Sequence, residues 1–252
     1  MAISIRQIQI LELARETGHV TVDRLSARFS VSQQTIRRDL TELCERHELT
    51  RTHGGAMAPL GAINLAYDAR RDHAREEKDR IARACAEQVP NGCSLFMNIG
   101  TTTEAVARAL LHHRDLMVVT NNLNVAMTLS ANEGCEVVLT GGVLRHADYA
   151  LVGEATTDFI RQFKVDMAIV GVSAIDPDGS LLDYDYREVR VAQAIIQNAR
   201  RVCLAADASK FTRTAPVRIA ALRELEMFVT DRPLPASAAA LCAEHGVEVI
   251  IA

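Results

Sequence analysis

At 252 residues, 48% of them apolar, the chain is long enough for a small domain joined to a medium one, and its formal net charge of −4 excludes a uniformly basic coat for nucleic acid or membrane. No apolar run approaches the ~18 residues of a membrane span, and no basic-apolar leader opens the chain. Cys44, Cys85, Cys93, Cys135, Cys203 and Cys242 are scattered, without C-x-x-C pairs or zinc-type spacing to histidine, so a cytoplasmic protein with reduced thiols, no metal and no cofactor is expected.

Any nucleic-acid site must be local, and the first 58 residues offer one. They hold eight Arg, no Lys and seven acids, and the stretch between Asp23 and Asp39 lacks acids while containing Arg24, Arg28, Arg37 and Arg38. Ile5, Ile8, Leu11 and Ala14 recur at helical spacing up to Gly18 and predict a first helix. Thr21 caps a short second helix with Val22, Leu25 and Phe29 as its apolar stripe, and Ser30-Val31-Ser32 turns the chain. Ser32 then caps a third helix. There Ile36, Leu40 and Leu43 face inward, which leaves Gln33, Gln34, Arg37, Arg38 and Thr41 outside. Gln pairs bidentately with adenine and Arg with guanine, so this set suits a helix laid in the major groove. A plain three-helix domain with a solvated face is the alternative. The continuation favours DNA: Leu49–Thr52, a His53-Gly54-Gly55 turn and Ala56–Ala58 predict a two-stranded wing carrying Arg51 and His53.

Residues 59–74 read as a linker, and residues 75–252 as a second domain opening on the charged helix "REEKDRIARACAEQV", whose apolar face is Ile81, Ala84, Cys85 and Val89. Apolar runs at 94–99, 116–120, 136–140, 165–172, 202–206, 227–230 and 247–251 alternate with helical patterns, predicting a parallel sheet flanked by helices. Such sheets bind ligands beyond the carboxyl ends of their strands. After the first run comes Gly100-Thr101-Thr102-Thr103-Glu104, where Thr101 and Glu104 have capping-box spacing, so free N–H groups and three hydroxyls are expected at a helix N-terminus. Asn121-Asn122 follows the second run, Gly141-Gly142 with Arg145 the third, and Lys210 a later one. Each signal is weak alone. Together at strand ends they predict a phosphate pocket.

The run "SVSQQTIRRDLTEL" followed by "RTHGGA" resembles the DNA-binding domain of the DeoR family of sugar-metabolism repressors. "NIGTTTEA", "TNNLNVA", "GGVLR", "GSLLDYDYREV" and "DASKF" resemble, in order, blocks of the family's sensor domain, which is related in fold to ribose-5-phosphate isomerase. The resemblance implies a winged helix-turn-helix ahead of an α/β sensor domain. It implies DNA contact by Ser32, Gln33, Gln34, Thr35, Arg37 and Arg38, phosphate binding by Gly100, Thr101, Thr102, Thr103 and Lys210, and a pocket shaped by Asn121, Asn122, Gly142, Arg145 and Glu188. Its partners would be double-stranded operator DNA, a phosphorylated small-molecule effector, glycerol 3-phosphate by resemblance alone, and further copies of the chain as dimer or tetramer. Asn98 departs from the family, which commonly has Asp there, and Ala192-Gln193 replaces a basic pair found in relatives.

Three functions compete at this point. A ligand-released repressor, not an enzyme, accounts for both domains. A sugar-phosphate isomerase-like enzyme would draw on Asp183, Asp185 and Glu188 as acid and base, and a DNA-binding scaffold would use the second domain only to oligomerise.

Overall fold

The structure, a computed structural model, describes residues 4–17, 19–46, 48–52, 54–57, 67, 70–71 and 74–252. The chain forms two compact units, Met1–His73 and Ala74–Ala252, with separate cores.

The first unit runs α1 (Ile5–Thr17), β1 (His19–Thr21), α2 (Val22–Phe29), α3 (Gln33–Glu45), β2 (Thr50–Thr52) and β3 (Gly55–Met57). Ile36, Leu40 and Leu43 on α3 are fully buried against Leu25, Ile10 and Leu11 in one cluster, as the helical spacing predicts. Ile8 corrects the α1 stripe. It is 45% exposed, and the buried positions are Gln7, Ile10, Leu11 and Ala14, a cleaner i, i+3, i+4, i+7 face. Gln7 tolerates burial because its amide donates to Glu42 at 2.7 Å and to Asp39 at 3.4 Å. Thr21 and Ser32 cap α2 and α3 by accepting from Arg24 N and Thr35 N.

The wing has three strands where two were expected, in the order β1-β3-β2, all antiparallel. A three-residue strand with no alternation leaves no periodic signal, so β1 was invisible in the sequence. It explains Gly55, where a Cβ would stand 2.0 Å from the Val20 carbonyl oxygen. His53, Gly18 and most of the 59–74 linker lie outside the described residues.

The second unit contains α4 (Arg75–Glu87), β4 (Ser94–Met97), α5 (Thr101–Ala109), β5 (Leu116–Thr120), α6 (Leu123–Leu129), β6 (Cys135–Leu139), β7 (Val143–Arg145), β8 (Ala150–Val152), α7 (Glu154–Ile160), β9 (Val165–Val170), β10 (Ala174–Ile175), β11 (Ser180–Asp183), α8 (Tyr186–Gln197), β12 (Ala199–Ala205), β13 (Val217–Ala221), β14 (Met227–Thr230), α9 (Ala236–His245) and β15 (Glu248–Ile251). The seven predicted strands form one parallel sheet, ordered β15-β14-β12-β9-β4-β5-β6.

Alternate residues divide that sheet between two cores. Phe96, Ala168, Val170, Val202, Leu204 and Phe228 face one layer with α8 and α9, whereas Leu95, Met97, Met167, Ile169, Cys203 and Met227 face the other with α4, α5 and α6. Burial on both faces is why these strands read as continuous apolar runs. Two short antiparallel additions went unpredicted: the β7–β8 hairpin and the β10-β11-β13 sheet. Ala192 is buried in the α8 layer, and Gln193 donates to the Arg218 carbonyl.

Candidate functional site

The α3 surface is built as a reading head. Gln33, Gln34, Arg37, Arg38 and Thr41 are exposed, Ser32 is exposed at the cap, and Thr35 is half-buried with its hydroxyl 2.9 Å from that of Ser32. Thr35 thus helps close the turn. Arg51 is exposed on β2. Arg38 pairs with Glu42 one turn on, and Arg37 donates to Gln33 Oε1 at 3.2 Å. Sequence reasoning missed Asp39. Its buried carboxylate accepts from Arg6 Nε at 2.6 Å and from Gln7, tying α1 to the back of α3 and fixing the reader's orientation. The residue next to Arg38 carried no such signal because both partners lie more than thirty positions away.

At the carboxyl end of β4 the Gly-Thr loop takes a different form from the expected capping box. Gly100, at φ 144°, is the N-cap of α5, and Thr101 is already its first residue. Glu104 turns away from the helix start and accepts from Asn122 at 3.3 Å and Asn124 at 3.0 Å. Thr103 also departs from expectation: its fully buried hydroxyl donates inward to the Gly100 and Asn98 carbonyls, leaving Thr101 and Thr102 as the hydroxyls near the free N–H groups of the first turn.

Asn98 has a structural task of its own. Its amide forms a two-way clasp on Gly171, with Nδ2 donating to the carbonyl at 3.2 Å and Oδ1 accepting from the N–H at 2.9 Å. Aspartate cannot make the first of these bonds. Asn98→Asp should therefore cost about 1–3 kcal/mol of sensor-domain stability by urea denaturation, because it sets a buried carboxylate against a carbonyl.

The two asparagines after β5 have unequal roles. Asn122 is spent as the N-cap of α6, accepting from Asn124 N and Val125 N. Asn121 donates to Leu151 O, but its Oδ1 is buried without a partner, and so is Thr140 Oγ1 at the end of the neighbouring strand. Unsatisfied buried oxygens at the ends of adjacent strands suit a ligand bearing hydroxyls. Gly142 sits at φ 136°, where a Cβ would lie 2.1 Å from Thr156 Oγ1, so its contribution is close backbone approach.

Arg145 reaches across from the hairpin into a nest of acids. Its guanidinium donates to Asp148, to Asp185 at 2.9 Å and to Glu188 at 2.7 Å, with only 13% of the side chain exposed. One cation faces three carboxylates, with Asp183 a further negative neighbour of Glu188. Burial above all, then Asp183, pushes the Glu188 carboxyl up to about 8 against the pull of Arg145. The folded state therefore holds a proton that the unfolded chain, near 4.5, gives up. Stability from this group is complete below the unfolded value and is lost as pH rises through about 8. Urea titrations across that window should show Glu188→Gln with a flatter pH dependence than the parent chain.

Lys210 follows β12 in a short 3-10 turn and is buried beside Asp207. Burial raises the Asp207 carboxyl, but Lys210, Ser209 and Arg213 outweigh it and hold the group below the usual carboxylate range. Lys210 is thus a partnered cation. Among the described residues no cluster of His, Cys, Asp or Glu is arranged to hold a metal, and no helix is long and apolar enough to cross a membrane.

Comparison with known proteins matches both units. A DeoR-like helix-turn-helix domain matches residues 6–59, and the DeoR C terminal sensor domain matches residues 73–232. The chain is 49% identical over 240 residues to the glycerol-3-phosphate regulon repressor of Escherichia coli K12, covering 95% of each chain. It is 49% identical over 231 residues to the repressor of the same name from Haemophilus influenzae, covering 91% of this chain and 90% of that one. Among solved structures, ribose 5 phosphate isomerase A from Neisseria gonorrhoeae is similar at 14% identity and a TM-score of 0.40, over 54% of this chain and 53% of that chain. The chain belongs to the DeoR family of transcriptional repressors, with the family's helix-turn-helix reader ahead of its C-terminal sensor domain.

Proposed function

We propose that the chain represses a glycerol or sugar catabolic operon, gripping operator DNA with α3 and the wing and letting go when a small phosphorylated polyol enters the sensor pocket. The observation that carries this reading is the set of polar groups gathered at the strand ends. A Gly-Thr helix start offers N–H groups to a phosphate, and beside it Asn121 Oδ1 and Thr140 Oγ1 are buried acceptors without protein partners. Glycerol 3-phosphate, which carries a phosphate and two hydroxyls, supplies both halves of that complementarity. The names of the relatives favour it over other sugar phosphates. They also favour a regulator over an isomerase, because fold alone confers no activity.

A coupling of about 1–3 kcal/mol between pocket and reader would weaken operator binding about 5–150-fold. Two copies would read paired half-sites. Fluorescence anisotropy of the full chain on promoter DNA, titrated with glycerol 3-phosphate, glycerol, inorganic phosphate and hexose phosphates, tests it. Release by glycerol 3-phosphate at the lowest concentration is the predicted outcome, and indifference to every phosphate refutes the inducer model. Lys210→Ala should stay bound to DNA at ligand levels that release the parent chain. If the second unit only oligomerised, that variant would behave like the parent.

A further inference from the structure

The two glutamines that open α3 are not equivalent. Gln33 Nε2 donates to Asp23 Oδ1 at 2.7 Å, and Gln33 Oε1 accepts from Arg37 Nη2 at 3.2 Å. Both halves of that amide are occupied. Gln34, exposed on the next position, makes no hydrogen bond among the described residues. A bidentate contact to adenine needs the donor and acceptor of one amide aimed together at the base edge; Gln33 is turned toward Asp23 and Arg37 with one N–H and one lone pair left, whereas the whole Gln34 amide is unengaged. Asp23, in the first turn of α2, is itself exposed and ten residues from Gln33 in sequence, so this link also joins the two helices of the motif.

We propose that Asp23 and Gln33 are positioning residues that aim Arg37 at one base pair of the operator, and that Gln34 and Arg37 are the side chains that read. The relay fixes which way the Gln33 amide faces: its nitrogen must point to the carboxylate, so its oxygen is left to the guanidinium. Arg37 keeps N–H groups for the O6 and N7 acceptors of guanine. Asp23 also places a negative charge beside a surface otherwise supplied with Arg24, Arg28, Arg37 and Arg38, which opposes indiscriminate docking on phosphates. Asp23 therefore trades overall affinity for discrimination.

The proposal rests on α3 being the reading helix. The test selects a binding motif for the full-length chain from a randomised DNA duplex library, then measures binding to every single-base variant of that motif. Arg37→Ala should lose about 5–150-fold discrimination at one base pair, the worth of a bidentate contact. Asp23→Ala should lose discrimination at that same base pair while binding competitor DNA more tightly. Asp23→Asn, which keeps an oxygen for the Gln33 amide, should recover most of the discrimination while retaining the tighter competitor binding. Gln34→Ala should relax a different position, and Gln33→Ala the same one as Asp23→Ala. Unchanged preferences in Asp23→Ala, beside altered ones in Arg37→Ala, would overturn the relay. Unchanged preferences in Arg37→Ala and Gln34→Ala would overturn the assignment of the helix itself.

Discussion

Arg145→Ala is expected to cost the sensor domain about 3–5 kcal/mol of stability before any effector is added, which is the scale of breaking a buried ion pair from one side. The substitution leaves Asp148, Asp185 and Glu188 facing one another with their shared cation gone, in a site where the arginine is 13% exposed. Arg187 still pairs with Asp185, but it is half-exposed and screens less. A residue that only touched ligand would behave differently: its loss would abolish release from DNA and leave the unfolding curve where it was. Urea denaturation followed by circular dichroism separates the two. A midpoint unchanged in Arg145→Ala would mean that the acids relax into water at little cost, and that the hairpin is held by something else. Combining Arg145→Ala with Glu188→Gln should return part of the loss only above about pH 8, because below it the Glu188 carboxyl already holds its proton and the substitution removes no charge.

The second large effect lies in the reader. Leu40 on α3 is fully buried in a cluster that holds eleven buried apolar residues among the described ones. Truncation to Ala removes three carbons and leaves a cavity, for about 2–5 kcal/mol, a large share of what a domain of this size has to spend. Leu40→Ala should bind operator and competitor DNA poorly alike at 37 °C. The transition of the second unit, whose cores share no residue with that cluster, should stay in place. Differential scanning calorimetry would show the lower transition moving alone, and coincident movement of both would mean that the units unfold together.

Local periodicity revealed what depends on burial and little of what depends on pairing. The seven parallel strands stood out because each is apolar on two faces, and α3 because Ile36, Leu40 and Leu43 keep one face through two turns. The spacing of Ile8 imitated a core position, while Gln7, polar and buried, did not look like one until its two acceptors on α3 were placed. Thr101 and Glu104 had the offset of a capping box, yet the chain turned one residue earlier, at Gly100, and Glu104 found asparagines across a strand boundary. The acids around Arg145 are three, forty and forty-three positions away, so no window of sequence displays them as a unit. Asp23 escaped for the same reason. The candidate site residues could be placed where a loop follows a strand, and the partners they meet in the fold could not.

The two layers around the main sheet differ in material. All five phenylalanines beyond the first unit belong to the α8 and α9 side: Phe96 and Phe228 in the core, with Phe159, Phe163 and Phe211 packed on it. The opposite side is rich in sulfur, with Met97, Met167 and Met227 beside Cys85, Cys93 and Cys203. Thioethers are polarisable and adopt many shapes at little cost, whereas aromatic rings lock their neighbours. The threonine helix α5 therefore rests on a compliant bed, and α8, which carries Glu188, on a stiff one. Under the proposed function, an anion held at the start of α5 would draw on the cushion beneath it before the aromatic side gave way, and the resulting motion would have a built-in direction.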